Sequence, residues 1–427
     1  MHKRGEIKLD QVRELKQGLS LPSGFSAGFA RETVNPLPGT SLGGYGTADR
    51  RLSDRVLDDI CVSCTALSDG EKVFLFYSTD SLYVRNTMLD QVTETLKAEL
   101  GIEKEHVVMN ATHSHAAPII HYPGMPGMPE YMSRFLPAVY RVAREAIADL
   151  ECAELYAGET ETEGLNYVRR YVSIDGKTYI GNWLKYGQNP AEVRHETEAD
   201  HQLQTLRFAR KTKKDIVMVN WQCHPCSRGI GGEFSTDVSS DWVAPMRETL
   251  EQDLNVHAVY HQGAAGNVVS TTCIAGEKNN LDYRVKGKEL AEEVKKALSK
   301  EKALKTGRFH AERRNFVAVH DEKWKEAHRV TEPTDTLYLS VLSIGDVAFA
   351  TAPCEWHDTC GRMVKDNSPF ATTFVCAYSN GVVSYIPADF AFDLGGYEVK
   401  MCHFVRGTGE KIALDLISML KQIQKGE

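Results

Sequence analysis

One recurrence organises this chain: an apolar run of strand length, a polar or Gly/Pro-rich break, then an amphipathic helical pattern. KVFLFYSTDSL (72–82) precedes NTMLDQVTETLKAEL, and HVVMNATHSH precedes EYMSRFLPAVYRVAREAIADL across the loop YPGMPGMPE. DIVMVNWQCHP leads to SDWVAPMRETLEQDL, where Ser240 or Asp241 is the expected N-cap. VHAVYHQGAAGNV leads to LDYRVKGKELAEEVKKALSK, and DVAFATAPCEWHD to a short helix through Met363. Such alternation predicts α/β layers. Two hairpin-like pairs interrupt it, with turns at Lys211–Lys214 and at Gly345–Asp346. The expected architecture is therefore mixed β-sheet layers flanked by helices, not a purely parallel sheet.

A chain of 427 residues with 42% hydrophobic and 25% charged side chains has ample material for a large core. Its 50 basic and 58 acidic residues leave a formal charge of −8, which argues against a nucleic-acid partner. No apolar span is long enough for a membrane helix. The opening MHKRGEIKLDQVRELKQG has basic residues but no apolar signal region, so a cytoplasmic protein with reduced cysteines is expected. Cys61 and Cys64 read as structural, since a zinc or redox site needs more partners than their spacing supplies.

The ends of the apolar runs carry the chemistry-bearing side chains. His113 and His115 follow VVMNAT, His224 follows IVMVNWQC, Glu355 follows VAFATAPC, and Tyr385 follows TTFVCAYSNGVVS. Open α/β sheets bind ligands outside the carboxyl ends of their strands, so these exits are expected to share one pocket. In an extended segment residues i and i+2 point to one side, which would bring His113 and His115 together. Bland readings exist for each residue. A histidine after a strand can be a satisfied polar group, and Glu355 can cap the helix that follows. Cys223 and Cys226 flank His224, but neighbouring strand residues point opposite ways, so both read as packing.

The order and context of these motifs resemble the neutral/alkaline, non-lysosomal ceramidase family in its N-terminal catalytic domain, as a short cytosolic-type member. NPLPGTSLGGYG (35–46) is similar to the family's Pro/Gly-rich opening, and ATHSHAAP stands where the family has Thr-His-Thr-His-Ser-Gly-Pro. NWQCHP, CEWHDTCGRM and SNGVVSYIPADFAFDLGGYEV resemble three further family segments. The likeness runs from about Asn35 to the end, implying a single ceramidase-like catalytic domain over 35–427, with 1–34 as an N-terminal helical extension. Two segments depart from the pattern: Ala116–Ala117 replaces Ser-Gly, and GAAGNVVS (263–270) fits its counterpart only approximately.

The resemblance implies a Zn2+ held by His113, His224, Glu355 and Tyr385. It also implies His115 as a group for substrate hydrogen bonding or proton transfer and Tyr397 near the scissile bond. VRRY (168–171) makes Arg169 the substrate-side arginine, with Arg170 as the alternate. The expected activity is a zinc amidase acting by metal-activated water on an N-acyl compound, either ceramide-like or smaller and soluble. An esterase, lactonase or cyclic amidase on the same site is the alternative, since hydroxide attack at an acyl carbon is common to all of them. A metal-stabilised binding protein is the third. The loop 119–132 is expected to overhang the entrance, where Met125, Met128 and its prolines either line an apolar acyl channel or form a rigid lid with no lipid role, the lid being the favoured reading.

Overall fold

The computed structural model describes residues 21–46, 48–182, 192–227, 235–279 and 281–426. Its larger sheet is built from β1 (Ser26–Thr33), β2 (Cys61–Ser68), β3 (Val73–Thr79), β4 (Val107–Ala111), β5 (Glu151–Glu161), β6 (Gln202–Arg210), β7 (Ile216–Trp221) and β8 (His257–Gln262). They lie in the spatial order β8-β7-β6-β5-β1-β2-β3-β4, with Lys302–Ala303 paired onto β5. Central pairs are antiparallel, whereas β3/β4 and β7/β8 are parallel. The mixed sheet expected from the sequence is therefore present, and the hairpin turn at Lys211–Lys214 joins β6 to β7.

A second sheet comprises β9 (Phe309–Val319), β10 (Thr334–Ile344), β11 (Val347–Thr351) and β12 (Thr372–Cys376), in that order. Gly345, with φ of +56°, makes the β10–β11 turn, and a Cβ there would fall 2.0 Å from the carbonyl oxygen of Lys305. The two sheets pack face to face through Phe74, Phe76, Phe208, Met218, Phe349 and Phe374, with the Phe76 and Phe349 rings 4.4 Å apart. Helices cover the outer faces. These are α1 (Asn86–Leu100), α2 (Met128–Ala148), α3 (Val243–Leu254), α4 (Tyr283–Leu298), α5 (Asp358–Asn367), the short α6 (Tyr397–Met401) and α7 (Thr408–Lys425). The α2 residues Tyr131, Phe135, Val139 and Val142 fall at helical spacing and bury against the sheet, while α3 and α4 cover Val217, Val219 and Tyr260. Strands covered on both faces read as continuous apolar runs, and β3 and β7 are buried throughout.

Two local expectations are corrected. Ser26–Thr33, assigned from sequence to a helical extension, is strand β1, paired in register with β2 along its whole length. Its Ala27 and Phe29 are needed to fill the space between the sheets, and that tertiary demand decides its conformation. Residues 1–20 of that extension lie outside the described residues. The α3 N-cap is Trp242, one residue beyond the expected pair, and Asp241 instead accepts a hydrogen bond from the Trp242 N–H at 2.8 Å.

The larger sheet curls until its terminal strands meet. The Gln262 N–H on β8 donates to Asn110 Oδ1 on β4 at 2.8 Å, and Ser78 Oγ donates to the carbonyl of Tyr260 at 2.7 Å. Asn110 Nδ2 also donates to the Ala377 carbonyl (2.7 Å) and to Ser379 Oγ (2.9 Å), tying in the second sheet. The exits of β4, β7 and β11 therefore open to one side of the molecule. Asn110 is fully buried. Asn110→Ala strands the Gln262 N–H and the carbonyls it served, so it should lower stability by about 2–3 kcal/mol in chemical denaturation.

Neither ring nitrogen of buried His261 has a hydrogen-bond partner among the described residues. Burial pushes its pKa down to about 4. The unfolded chain therefore binds a proton more readily than the folded one between pH ~6.5 and about 4. The stability contribution is fully present above pH ~6.5 and is lost as the pH falls through that window. His261→Phe should make the stability–pH curve measurably shallower between pH ~6.5 and ~4; an unchanged slope refutes this.

Candidate functional site

His113 does not arise from strand alternation. β4 ends at Ala111, and His113 takes a left-handed backbone conformation with φ of +66°. For a residue other than glycine that conformation is uncommon and needs surrounding structure to hold it. Here the His113 Nδ1–H donates to the Leu82 carbonyl at 2.9 Å, and the Tyr378 ring packs on the imidazole at 4.2 Å. Tyr378 itself has φ of +55°, and Tyr45, edge-on to His115 at 4.9 Å, has φ of +57°. Backbone strain is thus concentrated around these imidazoles.

His224, beyond the end of β7, is fixed in the same manner. Its Nδ1–H faces the carbonyls of Ala265 (2.6 Å) and Val268 (3.1 Å). Because a carbonyl only accepts, both imidazoles carry their proton on Nδ1 and present Nε2 as an acceptor. The Nε2 atoms of His224 and His113 lie 3.2 and 3.4 Å from Glu355 Oε2, and His115 Nε2 lies 3.2 Å from His113 Nε2. Between Glu355 and the Nε2 atoms of His113 and His224 acceptor faces acceptor, an arrangement that a proton or a metal cation must bridge. The donor atoms of His113, His115 and His224 all lie within 4.8 Å of one another, close enough to hold one ion.

Glu355 does not cap α5, whose N-cap is His357. It lies in a two-residue strand, Glu355–Trp356, paired in parallel with Tyr385–Ile386, so Glu355 and Tyr385 are register partners. Its Oε1 accepts a short hydrogen bond from the Tyr83 hydroxyl. Burial opposes ionisation of Glu355, but His113 and His224, when protonated at Nε2, outweigh it and hold the carboxyl well below the usual range. Burial, then the Arg169 guanidinium, lowers His224 to about 4. Burial and the neighbouring imidazoles likewise hold His115 well below the ordinary histidine value. Tyr385 is raised by burial and by the Glu355 charge.

Arg169 and Arg170 separate cleanly. Arg169 donates to the Tyr385 hydroxyl (3.1 Å), to the Gly266 carbonyl (3.0 Å) and to Glu398 (2.9 Å). Arg170 turns away, pairing with Glu196 and with the other oxygen of Glu398. Arg169 is 2% exposed, so it supports Tyr385 from behind rather than opening to solvent. Tyr397, at the start of α6, is 40% exposed, with its ring 5.4 Å from that of Tyr385. His115, Glu355, Tyr385 and Tyr397 line a cavity of about 860 Å³. Met125 also lines it, whereas Met128 is buried in the core as the first residue of α2. Cys223 and Cys226 are buried, and the metal-capable cluster contains neither.

Sequence reading missed Tyr83, Tyr378 and Glu398. Tyr83 stands four residues past β3, at a strand exit like those that flagged the histidines, and that signal could have found it. Glu398 follows Tyr397 directly, but nothing local marks it as the carboxylate shared by two buried arginines.

The Pro/Gly-rich opening has a concrete role. Arg51 donates to the Gly43 carbonyl at 2.6 Å and to the His115 carbonyl at 2.6 Å, binding the loop to the histidine segment. Gly44, with φ of +83°, lies against the His115 ring, where a Cβ would fall 2.5 Å from Nδ1. On the expectation that His115 serves substrate hydrogen bonding or proton transfer, Gly44→Ala should displace its ring and lower turnover by ~10²-fold or more. Wild-type turnover would refute the contact.

No family profile and no curated protein matches the sequence. Solved structures do. A ceramidase complexed with C2 matches with a TM-score of 0.77 at 14% identity, over 95% of this chain and 76% of the other. Neutral ceramidase from Pseudomonas aeruginosa matches with a TM-score of 0.77 at 15% identity, over 95% of this chain and 75% of that one. The chain has the neutral-ceramidase fold, in agreement with its motifs.

Proposed function

We propose that this protein is a zinc-dependent amidase that cleaves an N-acyl amide, lipid-like or small and soluble. The observation that carries the reading is the convergence of imidazole Nε2 atoms on the Glu355 carboxylate, at the wall of a substrate-sized cavity. His113, His224, Glu355 and Tyr385 are the residues that would hold the metal, a nitrogen and oxygen donor set that suits zinc. The acceptor-facing geometry fits a cation. When bound, the metal supplies Lewis acidity toward the acyl oxygen and lowers the pKa of water to about 7.

The chain's own groups account for the remaining steps. The Leu82 and Ala265 carbonyls fix the tautomers of His113 and His224. Arg169, held by Glu398, donates to the Tyr385 oxygen and favours its anionic form. His115 Nε2 takes the proton from the attacking water and passes it to the leaving amine, a role worth about 10²–10⁴ in rate. The exposed Tyr397 hydroxyl donates to the oxyanion at the scissile carbon. The names of the fold relatives support an amide as the bond attacked. All ten cysteines are unpaired, which supports a reducing, cytoplasmic setting. No helix among the described residues is long and apolar enough to cross a membrane.

Metal analysis together with a panel of N-acyl amines, esters and lactones tests the reading. Chelation should abolish amide hydrolysis and zinc should restore it; ester or lactone cleavage without amide cleavage transfers the site to the alternative chemistry. His113→Ala and His224→Ala should lose metal and activity together. His115→Ala should keep its metal and lose about 10²-fold or more in kcat. Loss of metal from the His115 variant would make it a third histidine ligand instead, and wild-type zinc content in the His113 variant removes the ligand assignment.

A further inference from the structure

The cavity has a second polar wall, separated from the histidine cluster by Tyr83. The Tyr83 ring lies 5.1 Å from His113 on one side and 4.8 Å from His121 on the other. His121 is only 6% exposed, lines the cavity, and has no hydrogen-bond partner for Nδ1 among the described residues. Beside it, the Arg85 guanidinium stacks 4.7 Å over the Tyr122 ring. Among the described residues, Arg85 has no carboxylate within ion-pair distance. Arg85 is also the N-cap of α1, which has neither a capping side chain nor an acidic residue in its first turn. Asn86 and Thr87, the first residues of that helix, line the same wall. Among the described residues, the one acid lining the cavity besides Glu355 is Asp49, which pairs with Arg50 at 3.6 Å.

The Arg85 guanidinium, the His121 imidazole and an uncapped helix N-terminus therefore border one cavity. Burial, then the neighbouring Arg85 charge, pushes His121 down to about 3, so this wall carries one positive charge and not two. A planar guanidinium and a single positive charge match a carboxylate monoanion. The helix terminus adds a favourable field for an anion.

We propose that Arg85, His121 and the N-terminus of α1 form a carboxylate subsite, so that the compounds taken into this cavity are amides bearing a carboxylate on one side of the scissile bond. The binding half stands on the geometry of this wall, and the cleavage half rests on the amidase reading. The subsite favours N-acyl amino acids or dicarboxylic half-amides over uncharged lipid amides.

Two matched pairs test this on the metal-loaded protein: N-benzoylglycine against N-benzoylglycinamide, and N-benzylsuccinamic acid against N-benzylsuccinamide. The first pair places the carboxylate on the amine side and the second on the acyl side. In at least one pair the acid should be bound, by calorimetry, and turned over about tenfold or more better than its uncharged partner. Arg85→Ala should bring that ratio to near one, and Arg85→Lys, which keeps the charge without the planar fork, should retain part of it. Melting temperatures of both variants separate loss of preference from loss of fold. Ratios near one in both pairs with the wild-type protein overturn the subsite, and they do so even if the uncharged amides are hydrolysed, which leaves the amidase reading standing. Acid binding that depends on Arg85, in a protein that cleaves no amide, supports the subsite and defeats the amidase reading.

Discussion

The site depends on two imidazoles pinned by backbone carbonyls so that their lone pairs face a buried carboxylate. Once the Leu82 and Ala265 carbonyls accept from Nδ1, the Nε2 atoms of His113 and His224 are committed as acceptors. Glu355 adds negative charge at the same point while being only 3% exposed. Such a group is costly to bury without compensating positive charge. The gathered donor atoms could hold a cation, and the rest of the structure is the framework that keeps them close.

That framework works through curvature and strain. Curling of the larger sheet brings β4 beside β8, so the segments following β4 and β7 open into one space. The second sheet is fastened to the first by Asn110 and Asn220, whose side chains donate to backbone carbonyls beyond and within β12. It delivers Glu355 and Tyr385 from the opposite side. The left-handed residues Tyr45, His113 and Tyr378 sit where these segments converge. Their strain, of order 1–3 kcal/mol each, is sustained by close packing on every side. Behind Tyr385, Glu398 is shared by Arg169 and Arg170, a buried charge network that links α6 to that tyrosine.

Most of the fold's grammar was legible because it is local. Strand runs, helical faces and the turns at Lys211–Lys214 and Gly345–Asp346 follow from side-chain periodicity and turn chemistry over short spans. The strand at Ser26–Thr33 was not, because SAGFARET carries little apolar signal and becomes a strand through its partners β2 and β5. At the site, His113, His224, Glu355 and Tyr385 could be marked as strand-exit groups, and motif order suggested that they meet. Extended-chain alternation does not pair His113 with His115; a left-handed turn at His113 sets that geometry. Arg169 and Arg170 were indistinguishable by spacing; only the fold shows which one reaches Tyr385.

The sequence by itself determined the element types, the mixed α/β class and the kinds of donor atom available, because propensity, periodicity and side-chain chemistry are carried by near neighbours. Tertiary structure decided which of those donors share a point, which tautomer each imidazole adopts, and which groups stand between the metal-capable cluster and the Arg85 wall. Those outcomes depend on contacts between residues more than a hundred positions apart, such as Tyr83 with Glu355 and Asn110 with Gln262, and no local pattern encodes the distance at which such partners come to rest.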